Sequence, residues 1–431
     1  MSHNDEHDCA CQEYRQVSRR NFMRAGGSMA IAAAMPSWLP RIAFASAHHG
    51  NRDVIVSIFL RGGVDALTMC VPFNEKAYYN LRPTIAIPPP GSNSPDRATP
   101  LDNDFGFPPD MKALMDAYDA GDLLVVHACG LENPTRSHFE AMHFMEVGEG
   151  NPGSLFTGWL GRHLQSTAPS MQDAVMRAVG IGYGLSRTLV GGPSTLAISD
   201  LADFGLDGDS SSEKDREQAL AAMYAPYSDP LKTAAGNTLQ TIDLLQKISF
   251  SGYRPKGKAK YPDSNFGYAM KTTAALIKAD IGVEAIAIDL DGWDTHTAQG
   301  STNGHMATLM RDLSRGMGAF HKDLTASNRN DVATMCMTEF GRNAFENGSR
   351  GTDHGHGSLM LAMGGSVAGG RVLTQWPGLQ KNQLYDGQDL KITTDYRNVI
   401  NEILSKRAGN TTPGQLFPDK GFVPKDLGVI A

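Results

Sequence analysis

The run Asp53-Val54-Ile55-Val56-Ser57-Ile58-Phe59-Leu60, continuing into Arg61-Gly62-Gly63-Val64-Asp65, decides how this chain is read. A short, almost wholly apolar stretch rich in β-branched residues predicts a strand buried on both faces, the kind found in a parallel sheet covered by helices. Two glycines then loosen the backbone and an acidic residue follows. In open parallel sheets functional groups collect beyond the carboxyl ends of the strands. Asp65 is therefore a candidate metal ligand, and a turn aspartate capping the next segment is the competing reading.

The same pattern recurs outward from this strand. Further strands are expected over residues 122–128, 174–180, 194–198, 283–290, 331–337 and 358–363, separated by segments of helical periodicity. This predicts an α/β fold with a mostly parallel central sheet sandwiched by helices. The segment 108–121 reads as a helix closed by Gly121. Residues 84–100, with a proline triplet, read as a loop, and no internal repeat is visible. Residues 200–262 differ in texture, with DGDSSSEKDREQ and a basic run from Arg254 to Lys260, and are expected to form a helical excursion. The basic run is read as a solvated face rather than an anion-binding arm, because it lacks interleaved aromatics.

Several strand ends carry metal-type ligands. After 122–128 comes Asn133-Pro134-Thr135-Arg136-Ser137-His138, leading into a helical segment. A hydroxyl at a helix N-terminus can be held as a nucleophile beside an anion, so Ser137 and, second, Thr135 are candidate nucleophiles, while a capping role competes for Ser137. His138 is a candidate ligand and Arg136 a candidate anion clamp. After 283–290 comes Asp291-Gly292-Trp293-Asp294-Thr295-His296, where Asp294 and His296 share one side of an extended segment. After 331–337 come Glu339 and Arg342. Gly351-Thr352-Asp353-His354-Gly355-His356-Gly357 then packs Asp353, His354 and His356 into four positions. Carboxylate oxygen mixed with imidazole nitrogen suits zinc, manganese or iron better than calcium. A solvated Gly-rich turn is the alternative reading of that run. The ligands outnumber what one tetrahedral ion uses, so one or two divalent ions, zinc or manganese, are expected.

The amino-terminal residues predict an address. Ser18-Arg19-Arg20-Asn21-Phe22-Met23 is a twin-arginine sequence, followed by an Ala-rich run and the cleavage-like Ala45-Ser46-Ala47. Residues 1–47 are read as a signal peptide and 48–431 as the mature domain, with the twin-arginine translocase and signal peptidase as partners during export and a periplasmic or secreted destination. Cys9 and Cys11 fall in the signal, leaving Cys70, Cys129 and Cys336, which do not make a disulfide framework. A formal net charge of −7, with the one basic run read as a solvated face, gives no reason to expect nucleic acid, and no apolar stretch of the mature chain reaches membrane-spanning length.

Together the twin-arginine signal, RGGVDALT, TRSHFEA, GWDTH, TEFGR and GTDHGHG resemble a bacterial domain-of-unknown-function family within the alkaline phosphatase and sulfatase superfamily. The resemblance covers essentially the whole mature chain. It implies an alkaline-phosphatase-like fold, a one- or two-metal site and a nucleophile that attacks phosphate or sulfate esters. On it, Asp65 matches the first-strand metal aspartate, Ser137 the nucleophile position, and Asp294 with His296 the ligands of the other metal. The Asp-His-Gly usually found directly after a strand is displaced to 353–355, with Glu339 in its usual slot, so either Glu339 or Asp353 is the ligand. The sulfatase Cys-x-Pro-x-Arg motif is missing. The expected function is an exported metal-dependent hydrolase of phosphomonoesters, phosphodiesters or related esters, with Arg136 or Arg342 clamping the anion. The alternative is an exported metal-binding or assembly protein without catalysis.

Overall fold

Strand β1, Val54–Leu60, alternates its side chains between two cores, which is why every residue in it is buried. Val54, Val56, Ile58 and Leu60 enter one core, Ile55 and Phe59 the other. The computed structural model describes residues 52–431 apart from 151, 152, 154, 172, 173, 183, 202, 203, 207, 229, 230, 247–249 and 420. The twin-arginine sequence and the Ala45-Ser46-Ala47 tripeptide lie outside the described residues.

In chain order the other strands are β2 (Thr99–Pro100), β3 (Gly106–Phe107), β4 (Leu123–Gly130), β5 (Ala178–Ile181), β6 (Thr195–Ile198), β7 (Ala285–Leu290), β8 (Val332–Thr338), β9 (Ser358–Met363), β10 (Arg371–Leu373) and β11 (Thr394–Asp395). The central sheet runs β10-β4-β9-β8-β1-β7-β5-β6, with β11 also paired to β4, while β2 and β3 form a separate hairpin. Within the central sheet, β9 pairs antiparallel with β4 and β8, and the other pairings are parallel. Helices Asn265–Ala279 and His305–Thr325 bury their apolar sides in one core. Helices His138–Val147, Trp159–Ser166 and Tyr396–Arg407 bury theirs in the other. The sheet is therefore mixed, mostly parallel and covered on both faces.

Three details depart from the sequence expectations. Strand β5 begins at Ala178 rather than near 174, where the chain carries Arg177 into a buried pair with Glu284. Residues 109–114 wind as a 3-10 helix before a short α-helix at Met115–Asp119, and Gly121 then turns the chain at φ +81°. Strands β10 and β11 are too short to show a period in sequence. Residues 213–224 and 231–246 are helical, and no helix among the described residues is long and apolar enough to cross a membrane.

Candidate metal centre

Five segments meet at one edge of the sheet. Parallel strands β1, β4, β7 and β8 all deliver their carboxyl ends there, supplying residues 61–65, 131–138, 291–296 and 339–343. The GTDHGHG run arrives at the same edge because β9 is antiparallel: the segment that precedes it lies where the others follow their strands. Close approach of these loops requires glycine. A Cβ on Gly62, at φ +123°, would stand 2.5 Å from the Asp294 nitrogen, and one on Gly351 would collide with the His296 backbone. A bridge between Arg342 and His354 and hydrogen bonds from the Asn343 N–H to the Asp353 carbonyl (2.9 Å) and from the Gly355 N–H to the Gly341 carbonyl (2.9 Å) lock the last two segments together.

At the centre is Asp294, buried, with three imidazoles turned toward its carboxylate. His296 Nε2 lies 3.0 Å and His354 Nε2 3.2 Å from Oδ1, and His138 Nε2 lies 3.5 Å from Oδ2. One ligand atom each from His138, Asp294 and His354 lie within 4.8 Å of one another. His296 joins them through its Nε2, 2.9 Å from that of His354. Each ring is held from behind: His138 Nδ1 donates to Glu339 Oε1 (2.8 Å), His296 Nδ1 to Asp353 Oδ1 (2.8 Å) and His354 Nδ1 to the Arg136 carbonyl (2.9 Å). These partners accept only, so each neutral ring carries its proton on Nδ1 and presents the Nε2 lone pair to the centre. Nitrogen lone pairs and a carboxylate at 2.9–3.5 Å repel unless a proton or a cation lies among them. Ligands at roughly 2.1 Å from a tetrahedral ion stand about 3.4 Å apart. The donor set, its spacing and the bonded far nitrogens all suit a zinc-type ion.

Electrostatics tell the same story for the centre carrying protons alone. Burial works against charge on Asp294, yet hydrogen bonds with His138, His296 and His354 and the Arg342 guanidinium hold its carboxyl far below the usual carboxylate range. Burial likewise opposes charge on His138, but Asp294 and Glu339 overcome it and push the imidazole up to about 9. Hydrogen bonding to Asp294 raises His296 against its partial burial. His354 moves the other way, lowered by burial and by the nearby Arg342 and His138 charges. Charge is therefore favoured on the outer two rings and disfavoured on the middle one.

Glu339 and Asp353 occupy equivalent positions behind the histidines. Glu339 also accepts from the Gly62 N–H (2.8 Å) and the Thr338 hydroxyl (2.9 Å), whereas Asp353 accepts from Asn347 (2.9 Å) and is half exposed. The other residues singled out in the sequence lie elsewhere. Asp65 is bound bidentately by Arg82 at 2.6 and 2.9 Å and also accepts from Thr68 and Gln299 at 2.7 Å, so both oxygens of the carboxylate expected to reach a metal are taken by buried donors. His356 stacks on Tyr385 at 4.3 Å, and burial together with Arg136 holds its imidazole down at about 4. Its ring packs against Tyr385 rather than joining the imidazoles around Asp294.

Arg342 is not an anion clamp in this structure. It is fully buried, and its donors go to the carbonyls of Gly62, Gly63, Thr352 and Trp293 and to Asp294 Oδ1 (2.5 Å). Arg136 has an exposed side chain paired with buried Asp389 at 2.6 Å. Thr135 donates to Glu140 (2.6 Å) and accepts from the Ser137 N–H (3.2 Å). The Ser137 hydroxyl makes no capping hydrogen bond, and the residue lies between the Arg136 carbonyl that holds His354 and the His138 ring.

Sequence reasoning missed the residues that hold the loops. Gln299 donates to Asp65 and accepts from the hydroxyls of Thr295 (2.9 Å) and Thr352 (2.7 Å), so one amide joins the two ligand-bearing loops. Asn347 does the same from the His296 carbonyl to Asp353. Nothing local in sequence marks a glutamine or an asparagine for such a task.

A family model described as "Protein of unknown function (DUF1501)" matches residues 52–416. Comparison with curated proteins gives no match. Among solved structures, Ps i-CgsB in complex with k-i-k-neocarrahexaose is 9% identical, with 85% of this chain and 74% of that chain covered and a TM-score of 0.38. The C-terminal periplasmic domain of EcEptC from Escherichia coli, in complex with Zn, is 10% identical, with 77% of each chain covered and a TM-score of 0.29. A protein in the alkaline phosphatase superfamily from Vibrio parahaemolyticus is 10% identical over 82% of this chain and 69% of that chain, at 0.30. Likenesses this distant carry no argument about activity, and the α/β architecture rests on the strand pairing itself.

Proposed function

The chain belongs to the DUF1501 family of proteins of unknown function, and we propose that it is an exported metal-dependent hydrolase of phosphate-type or related esters. The observation that carries this reading is the convergence of three Nε2 atoms on Asp294 with every Nδ1 held by an acceptor. His138, Asp294, His296 and His354 would hold the ion, with Glu339, Asp353 and the Arg136 carbonyl fixing the rings. A divalent ion there supplies a Lewis acid that polarises an ester oxygen.

Ser137 is the nucleophile we assign. It immediately precedes the ligand His138 at the start of a helix of 10 residues, where amide groups favour developing negative charge. Thr135 is the weaker candidate, because its hydroxyl is engaged by Glu140 and the Ser137 N–H. Arg136, exposed and oriented by Asp389, is the cation available to a substrate anion.

The test is elemental analysis of the purified protein together with turnover of p-nitrophenyl phosphate and bis(p-nitrophenyl) phosphate, for the native chain and for Ser137→Ala. Metal-dependent turnover that Ser137→Ala abolishes while the metal stays bound supports the assignment; turnover unchanged in that variant removes it. One observation favours a metal-binding protein without catalysis: the arginine nearest Asp294 is wholly buried and cannot touch a substrate. Stoichiometric metal with no turnover on any ester would decide for that reading.

A further inference from the structure

We infer that the centre takes one divalent ion and has no place for a second, because two buried arginines are already the fixed cations of its two strand-end aspartates. This rests on the metal-site reading above and specifies the ion count. Four carboxylates, Asp65, Asp294, Glu339 and Asp353, were candidate ligands, and two buried guanidiniums, Arg82 and Arg342, are in direct contact with the first two. Of the two carboxylates without a guanidinium, Glu339 is buried and Asp353 half exposed, and each accepts from the Nδ1 of a ring that faces Asp294.

Donor saturation sets the count. Both oxygens of Asp65 are taken: Oδ1 by Arg82 Nη2, and Oδ2 by Arg82 Nη1, the Thr68 hydroxyl and Gln299 Nε2. Arg82 is itself locked, Nε donating to the Ala344 carbonyl (2.8 Å) and Nη2 to the Asn343 carbonyl (3.0 Å). An ion on Asp65 would have to displace a buried guanidinium that is also tied to two backbone carbonyls. On Asp294, Arg342 already engages Oδ1 and is itself held by four carbonyls. The Asp294 carboxylate otherwise faces the three Nε2 atoms.

The experiment strips the protein with chelator, titrates it with Zn2+ against a chromophoric competitor, and measures bound metal after gel filtration. One ion per chain is expected, falling to less than a tenth in His354→Ala and staying at one in Asp65→Asn. Electron paramagnetic resonance of the Mn2+-loaded native chain gives a second reading that needs no variant: an isolated six-line spectrum is expected. Two ions per chain, loss of one ion in Asp65→Asn, or an exchange-coupled Mn2+ spectrum would overturn the inference while leaving a metal-dependent hydrolase standing. One ion without ester turnover would do the reverse, and no bound ion would overturn both.

Discussion

Asp65 and Asp294 stand in matching places, each a buried aspartate beyond the carboxyl end of one of two adjacent parallel strands, yet their surroundings have opposite characters. Around Asp65 every partner is a donor with a fixed proton: a guanidinium, an amide and a hydroxyl. Around Asp294 one guanidinium is joined by three imidazoles whose near nitrogens can give up their protons. A carboxylate enclosed by permanent donors is a structural anchor; one faced by exchangeable nitrogens is a place where a cation can replace protons.

The largest effect that would test this contrast is on stability. Asp65→Ala leaves Arg82 buried without its counter-ion and should destabilise the fold by about 3–5 kcal/mol in chemical denaturation. Removing an imidazole should instead act on metal: His354→Ala is expected to weaken zinc binding beyond the roughly 10–100-fold typical of lost outer partners, read by competition titration. If Asp65→Ala changed zinc affinity as much as His354→Ala, the contrast would be gone.

Smaller effects grade the partners behind the rings. Glu339→Gln, at a buried site with three donors, should lower zinc affinity by about 10–100-fold. Asp353→Asn, half exposed, should fall near the low end, about 10-fold; equal losses would mean that exposure does not weaken this partner. The pH dependence is gentler still. His138 is raised to about 9 in the metal-free protein, so the stability its charge contributes is complete below its ordinary value near 6.5 and is lost as pH rises through 9. An ion takes the proton's place, so the difference in Tm between zinc-loaded and metal-free protein should widen from pH 6.5 to 9. A difference that narrows over that interval would contradict the proton-for-metal exchange.

Much of the architecture was legible because it depends on local pattern. The apolar run at 54–60 and its counterparts at 285–290 and 332–338 announce buried parallel strands by composition alone. The candidate ligands were legible as types, and His138, Asp294, His296 and His354 do meet. What could not be read was direction. Asp65 and Asp294 look equivalent in sequence, and only the arrival of Arg82, 17 positions further along, separates them.

The sequence by itself determined the layered sheet, the edge where chemistry collects and the kinds of atom available there, since these follow from residue period, glycine placement and side-chain chemistry. Tertiary structure alone decided that Glu339 and Asp353 both stand behind histidines, that His356 turns toward Tyr385, and that Arg342 is a buried counter-ion. The physical reason is that a charge's role is set by what compensates it. Here the compensating groups lie 48 positions apart for Asp294 and Arg342 and 201 apart for His138 and Glu339, distances over which local pattern says nothing.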